Sequence, residues 1–253
     1  MKALKSKSAD ATPDEAVRSE WLRRIEAEYR SAALTQHLTL WLIQLGAPPD
    51  LIAMGLRVVS DELAHSELSA AVFQAAGGRG GPALARETLA LTHDPSEPLE
   101  CELLRVAVEQ FCLGETIAVR LFQRMRKSAQ VASVKRALDR IVRDEVVHRD
   151  FGWAMLEWLL STPMAPRFQK QLASELPAML VRVRQSYGGM LLVKLGASEL
   201  EQRDAALSDA SRAWGIMATS DYLAVVAETF VRDYEPRFRA LGVEPHEAAD
   251  GSR

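Results

Sequence analysis

A five-residue pattern, Asp-Glu-x-x-His, occurs twice in this chain of 253 residues, as DELAH over 61–65 and as DEVVH over 144–148. Each copy lies in a stretch whose apolar residues recur every three to four positions, which is the spacing of an amphipathic helix. Residues three apart share a helix face, so each copy places a carboxylate and an imidazole side by side. The duplicated pattern therefore predicts helices that face one another in a bundle.

Composition also favours an all-α fold. Apolar residues make up 48% of the chain, and Val, Ile and Thr do not form the alternating runs typical of strands. The net charge is −3 with both signs interleaved, so the sequence lacks the basic surface of a nucleic-acid-binding protein. Cys101 and Cys112 form no CxxC pair, which excludes a rubredoxin-like iron site and favours a reducing compartment.

The apolar periodicity predicts four long helices, over 13–45, 51–76, 98–126 and 130–160. Asp50 is the expected N-cap of the second helix. We expect residues 77–97 to cross along the bundle, with a short helix over 83–93, because so long a loop is uncommon in a compact domain unless it has such a role. Further helices are predicted over 165–195 and 209–241, the latter broken near Ser220.

The chain is expected to form one helical domain over 13–243, with a metal-binding bundle over 13–160 and additional helices over 165–241. Residues 1–12 are predicted to be a disordered arm, and residues 244–253 a frayed tail. The N-terminus has no apolar segment of the kind found in signal peptides, and no stretch is long enough to span a bilayer. These features predict a cytoplasmic protein.

Six residues are expected to meet at one level of the bundle. At about 1.5 Å per residue, one Glu on each partner helix falls within about a turn of the motif that faces it. The candidate catalytic and metal-binding residues are Glu28, Glu62, His65, Glu115, Glu145 and His148. Four buried carboxylates would repel one another without metal, whereas two divalent ions would neutralise them. Oxygen and imidazole ligands suit iron or manganese, and the lack of thiolates argues against structural zinc.

Several neighbours of these residues have two interpretations. Glu26 competes with Glu28 as the ligand from the first helix, although Glu28 fits the apolar stripe better. Asp61 and Asp144 either accept the free N–H of a histidine ligand on a neighbouring helix or form surface salt bridges. Tyr29 is either redox-active or packed between helices.

Two glycines lie inside predicted helices beside ligand residues, where glycine costs up to about 1 kcal/mol relative to alanine. Gly114 and Gly152 allow either close helix packing or a cavity that admits O₂ and an apolar substrate. Cys112 either lines that site or is a buried, inert thiol.

The helices beyond residue 160 are expected to cap a pocket or to form a homodimer interface. The other histidines are expected at the surface, in a loop and in the tail: His37, His93 and His246.

On these residues the chain resembles the ferritin-like di-iron carboxylate superfamily. The resemblance covers about residues 13–160 and rests on Glu28, both DExxH motifs and Glu115 within the sequence GET. Size and ligand spacing are most similar to the aldehyde-deformylating oxygenases and related di-iron oxygenases. Arylamine N-oxygenases carry a further histidine where this chain has Ile141. The resemblance implies a ferritin-like four-helix bundle with one long crossover, two iron ions per chain (manganese is the alternative) and O₂ as co-substrate.

The first functional hypothesis is an oxidoreductase: a di-iron oxygenase or oxidase that activates O₂ to oxidise a small organic substrate, with electrons from an external donor. The alternative is a ferroxidase or another iron-handling protein. A third hypothesis is a bundle without metal that serves only as a binding module. The complete ligand set disfavours the third. The additional helices, and the lack of an evident acidic patch for iron nucleation, favour the first over the second.

Overall fold

The computed structural model describes residues 13–188 and 196–245. The predicted all-α class is confirmed, because helices dominate these residues and no strand occurs among them. The predicted arm over 1–12 lies outside the described residues, as does most of the predicted tail, including His246. In the described ranges, every helix is too short or too polar to cross a bilayer.

The first two helices form a hairpin in which α1 packs more extensively on α2 than on any other helix. α1 spans Glu15–Gln44 and is capped by Asp14, whose side chain accepts the Val17 N–H. α2 spans Pro49–Ala75. The prediction that Asp50 is the N-cap was wrong, because α2 already begins at Pro49. Proline suits the first position of a helix, because the N–H group that it lacks would have no hydrogen-bond acceptor within the helix.

Residues 76–98 cross from the first hairpin to the second. They contain only one short 3₁₀ turn, Arg86–Leu89, instead of the helix predicted over 83–93. The Leu91 N–H donates to Nδ1 of His37 on α1 at 2.9 Å. His37 is therefore only partly exposed, because the crossover covers one side of it.

The third predicted helix is helical throughout but is not a uniform α-helix. It consists of α3 (Leu99–Val106), a π-helical segment (Ala107–Glu115) and α4 (Thr116–Ser128). α5 spans Ala132–Ser161 and packs against both α4 and the π-helical segment. The wider turns shift the side chains around the helix axis, so the π-helical segment sets the direction of Glu115 at its end.

The C-terminal region forms more helices than were predicted. Its α-helices are α6 (Ala165–Gly188), α7 (Ala197–Ala206), α8 (Asp209–Ala213), α9 (Thr219–Thr229) and α10 (Glu235–Ala240). A π-helical turn, Phe230–Tyr234, joins α9 to α10. α6 packs on α5 and the π-helical segment, and α9 packs on α4 and α6. These helices therefore cover one side of the bundle.

Two apolar clusters fill the two ends of the bundle. One contains Leu42 and Leu51 near the α1–α2 turn, and the other contains Trp21 and Phe73 at the opposite end. The buried acidic and histidine residues of α2 and α5 lie between the two clusters and form a polar layer. The two clusters hold four helices around this layer, and that arrangement positions the site.

Candidate metal centre

The innermost residues of the polar layer come from the two DExxH motifs. Glu62 and His65 on α2 and Glu145 and His148 on α5 are at most 1% exposed. One ligand atom from each of the four lies within 4.8 Å of the others. Nδ1 of His65 is 3.5 Å from both the Glu62 and the Glu145 carboxylates, and Nδ1 of His148 is 3.6 Å from both. Both imidazoles therefore face the space between the same two carboxylates.

Four of these atoms have no hydrogen-bond partner although they are buried. They are Oε2 of Glu62, Oε2 of Glu145, Nδ1 of His65 and Nδ1 of His148. A buried polar atom without a partner is costly, and such atoms are uncommon in folded proteins. Two carboxylate oxygens and two imidazole nitrogens form a donor set that fits a transition-metal ion. The cluster can therefore hold metal.

Glu28 and Glu115 stand beside this group of four. Both line the same cavity as Glu62 and Glu145, although neither belongs to the set within 4.8 Å. Burial raises the pKa of both carboxyls well above their usual range, and repulsion from Glu62 and Glu145 raises it further. The competing Glu26 is more exposed and forms an ion pair with Arg30. The register of α1 therefore directs Glu28 to the cluster.

The surrounding carboxylates favour the protonated form of both histidines when no metal is bound. Burial by itself lowers the pKa of His65, but the Glu145 and Glu62 carboxylates, 3.5 Å from its Nδ1, outweigh it and raise the pKa to about 11. The pKa of His148 is raised for the same reason, with Glu145 as its main partner. Metal and protons therefore compete for the same nitrogens.

Each motif aspartate lies beside the histidine of the other motif. Nε2 of His65 is 3.3 Å from Oδ2 of Asp144, and Nε2 of His148 is 3.7 Å from Oδ2 of Asp61. Arg140 donates to both aspartates, from Nε to Asp144 and from Nη2 to Asp61 at 3.2 Å. Burial raises the pKa of Asp144, but Arg140 and His65 outweigh it and lower the pKa below its usual range. Asp144 thus combines both predicted roles, as a histidine partner and as a salt-bridge acceptor, whereas Asp61 is a salt-bridge acceptor that lies near His148 without a hydrogen bond to it.

Sequence reasoning missed Arg140, although a signal for it is present. Arg57 precedes Asp61 by four residues, as Arg140 precedes Asp144, so the repeated pattern is longer: RVVSDELAH and RIVRDEVVH. Residues four apart meet on a helix face, and Nε of Arg57 lies 3.4 Å from Oδ2 of Asp61. Ser31, also missed, donates to Oε1 of Glu62 at 2.6 Å.

A cavity of about 530 Å³ opens beside the carboxylates. α1, the π-helical segment and α4 supply most of its wall, and α6 and α9 contribute Val183, Tyr187 and Tyr222. Its volume falls in the range of small-molecule sites, roughly 300–1,000 Å³. One of the two alternatives left open by the sequence was a cavity for an apolar substrate, and the observed lining combines apolar side chains with arginines, tyrosines and carboxylates.

The two glycines have different roles. Gly114 lines the cavity, and a Cβ there would meet only ordinary contacts. A Cβ on Gly152 would lie 2.6 Å from Cβ of Phe111 and 2.8 Å from the backbone nitrogen of Cys112. Gly152 thus lets α5 approach the π-helical segment closely. The Cys112 thiol is fully buried and donates to the Gly152 carbonyl at 3.2 Å, in agreement with the inert alternative.

Two tyrosines that sequence reasoning did not single out hold the backbone before Glu115. The Tyr234 hydroxyl donates to the Leu113 carbonyl at 2.6 Å, and the Tyr187 hydroxyl donates to the Gly114 carbonyl at 3.3 Å. Tyr29, in contrast, is 40% exposed, which fits neither a tyrosine packed between helices nor one buried beside the cluster.

No protein-family model, curated protein or solved structure matches the chain. The helical bundle and its buried Glu/His cluster are compatible with a di-iron site.

Proposed function

We propose that this protein is a non-haem di-iron or di-manganese oxidoreductase, an oxygenase or oxidase that uses O₂ to oxidise a small organic substrate. The observation that carries the proposal is the cluster of four buried ligand atoms without partners, next to a cavity large enough for an organic molecule. Both are required, because metal supplies reactivity and the cavity brings a substrate to it.

The residues that would hold the metals are the six predicted ones, with Glu62, His65, Glu145 and His148 innermost. A redox-active metal pair bound there would supply the electrons that reduce O₂. Asp144, which Arg140 holds in place, can keep a proton on Nε2 of His65 and leave Nδ1 of that histidine for metal. Asp61 is also bound by Arg140 and lies 3.7 Å from Nε2 of His148. Apolar clusters flank the layer on both sides, and the cavity opens beside its carboxylates.

The cavity wall favours an oxygenase or oxidase over iron handling. The same wall carries apolar and aromatic residues, among them Leu34 and Phe122, which suit an organic molecule.

Metal content is the first test. Protein loaded with ferrous iron under nitrogen and then desalted should retain about two metal ions per chain by elemental analysis. Glu145→Ala should retain less than half of that, because it removes a buried anion that offsets the charge of the metal. Glu26→Ala is the matched control and should load normally, since Glu26 pairs with Arg30 away from the cluster. Normal loading of Glu145→Ala would sink the proposed site.

The second test separates an oxygenase from a ferroxidase. Reduced, iron-loaded protein exposed to O₂ should consume it, and candidate organic substrates should accelerate that consumption and yield oxidised product in single turnovers. A ferroxidase would instead oxidise added ferrous iron repeatedly and build a ferric mineral. Uptake of many irons per chain without any oxidised organic product would establish the alternative.

A further inference from the structure

We infer that the cavity binds an organic acid, with the substrate carboxylate at Arg24 and its apolar part directed to the metal-binding carboxylates. The inference rests on the proposed function in treating the cavity as the substrate site, and it adds the chemical class of the substrate. It makes Arg24 a residue that determines specificity.

Arg24 is held rigidly in the cavity wall. Its side chain is only 11% exposed, and its guanidinium lies 5.0 Å from the ring centre of Phe122 and 5.6 Å from that of Trp21. Nη2 donates to Oε1 of Glu20 at 2.7 Å and contacts Sδ of Met125. Nε is buried without a hydrogen-bond partner. A cation fixed between two rings loses little side-chain freedom when it binds an anion, so it is preorganised for that role.

The charges around Arg24 do not balance. Glu20 is the ion-pair partner of both Arg23 and Arg24, so these three residues carry one net positive charge. Arg30, the third arginine of the wall, is neutralised by Glu26. Two divalent ions would neutralise the four carboxylates of the centre, and Arg182 neutralises Glu109, the other carboxylate of the wall. The excess charge of Arg23 and Arg24 would then remain. A singly charged anion complements it.

The position of Arg24 suits a substrate that spans the cavity. Arg24 precedes Glu28 by one helical turn, which places it about 6 Å away along α1. A carboxylate at Arg24 therefore leaves the neighbouring carbon atoms beside the metal-binding carboxylates. Among its polar lining residues the wall also offers apolar side chains from three helices for the rest of the substrate: Leu34, Ala118, Leu121, Phe122 and Val183.

The test compares pairs of probes of the same shape and different charge. Butyrate, octanoate, dodecanoate and phenylacetate are each titrated against their neutral amides by calorimetry, on metal-loaded protein under nitrogen so that no turnover occurs. At least one acid should bind about tenfold more tightly than its amide, since a hydrogen bond to a charged partner is stronger than a neutral one. The preference should decrease at high salt. Equal affinities within every pair, or no binding by any acid, would overturn the inference.

Variants show whether Arg24 is responsible. Arg24→Gln should reduce the preference to about twofold or less, and Arg24→Lys should retain part of it, because the charge remains without the planar fork. Arg18→Gln is the matched control, since Arg18 also lies on α1 and also pairs with a glutamate, Glu15, but does not line the cavity. If Arg24→Gln kept the full preference for acids over amides, the carboxylate would bind elsewhere, for example on the metals. That result would reject the assignment of the carboxylate site to Arg24. If Arg24→Gln does not fold, as circular dichroism would show, an undiminished preference in Arg24→Lys also rejects it.

The outcome separates this inference from the proposed function. Metal content and O₂ consumption are measured on the same preparations. O₂ chemistry without a preference for acids would contradict the inference alone. A preference for acids that depends on Arg24, with no O₂ consumption, would support the anion site and contradict only the proposed function.

Discussion

Asp144 and His65 lie on different helices, yet Oδ2 of Asp144 is 3.3 Å from Nε2 of His65. The ionised carboxylate can only accept a hydrogen bond, so Nε2 must carry the proton. Nδ1 then faces Glu62 and Glu145 and is the nitrogen available to metal. The pair therefore determines which imidazole atom serves the candidate centre.

Replacing this carboxylate should weaken metal binding while most of the fold remains. We expect Asp144→Asn to reduce metal affinity by about 10–100-fold, the usual effect of losing the outer partner of a histidine ligand. Asp61→Asn is the matched variant, and its effect should be smaller because Asp61 lies 3.7 Å from its histidine. Competition against a fluorescent chelator measures both affinities. An unchanged affinity in Asp144→Asn would contradict the assigned role.

Arg140 should matter more than Arg57, although the repeated motif places both in equivalent positions. Arg140 contacts both aspartates, whereas Arg57 contacts only Asp61 and is 57% exposed. We expect Arg140→Gln to reduce metal affinity several-fold and Arg57→Gln to change it less than about twofold, because exposed ion pairs contribute little. Equal effects of the two substitutions, measured in the same chelator assay, would argue against a bridging role.

Metal binding should strengthen as the pH rises. The pKa of His65 is raised to about 11, and those of His148, Glu28 and Glu115 are also raised. The raised pKa values favour the protonated form of these groups in the metal-free protein, and a metal ion must displace the protons that they hold. Each displaced proton makes the apparent affinity rise about tenfold per pH unit.

Manganese titrations at about pH 6.5 and about pH 8 measure this dependence, with correction for protonation of the chelator. Protons released on binding are counted with an indicator in weakly buffered solution. An affinity that does not change with pH, with no proton release, would show that the centre is already deprotonated.

Tyr234 should stabilise both the fold and the direction of Glu115. Tyr234→Phe removes a buried hydrogen bond to the Leu113 carbonyl, which still accepts from the Thr116 N–H, and this loss should cost about 0.5–1.5 kcal/mol of unfolding free energy. Because that carbonyl lies two residues before Glu115, metal retention should also fall. Tyr29→Phe, at an exposed position, should change neither quantity. Denaturant titration and elemental analysis give the two measurements, and unaltered metal retention would limit Tyr234 to a role in stability.

Gly152 should tolerate no side chain. Gly152→Ala places a methyl group against backbone atoms of the π-helical segment, which we expect to cost about 1–3 kcal/mol through displacement of α5. Gly81→Ala is the control, because a Cβ there meets nothing within 4 Å. Thermal unfolding of the two variants should differ by several degrees. A Gly152→Ala variant as stable as the control would mean that the segment adapts without strain.

Local sequence patterns determined the fold class, the long helices and the residues of the buried cluster. Apolar residues at helical spacing predicted the all-α class and the four long helices, whose observed ends lie within a few residues of the predicted ones. The two DExxH motifs predicted the residues of the buried cluster, because residues three apart on a helix necessarily share a face. The number of residues between Glu28 and the α1–α2 turn then predicted that Glu28 lies at the same level of the bundle as the motifs.

Only the tertiary structure decided the remaining features, because they depend on contacts between residues far apart in the chain. The π-helical segment is stabilised by Tyr187 and Tyr234 from the C-terminal helices, and apolar periodicity does not detect it. The crossed pairing of each aspartate with the other motif's histidine requires α2 and α5 to face each other at one register. The place of Arg24 in the cavity wall likewise depends on Phe122, which is remote in sequence. Periodicity within one helix predicts which residues share a face, but packing between helices determines what that face meets.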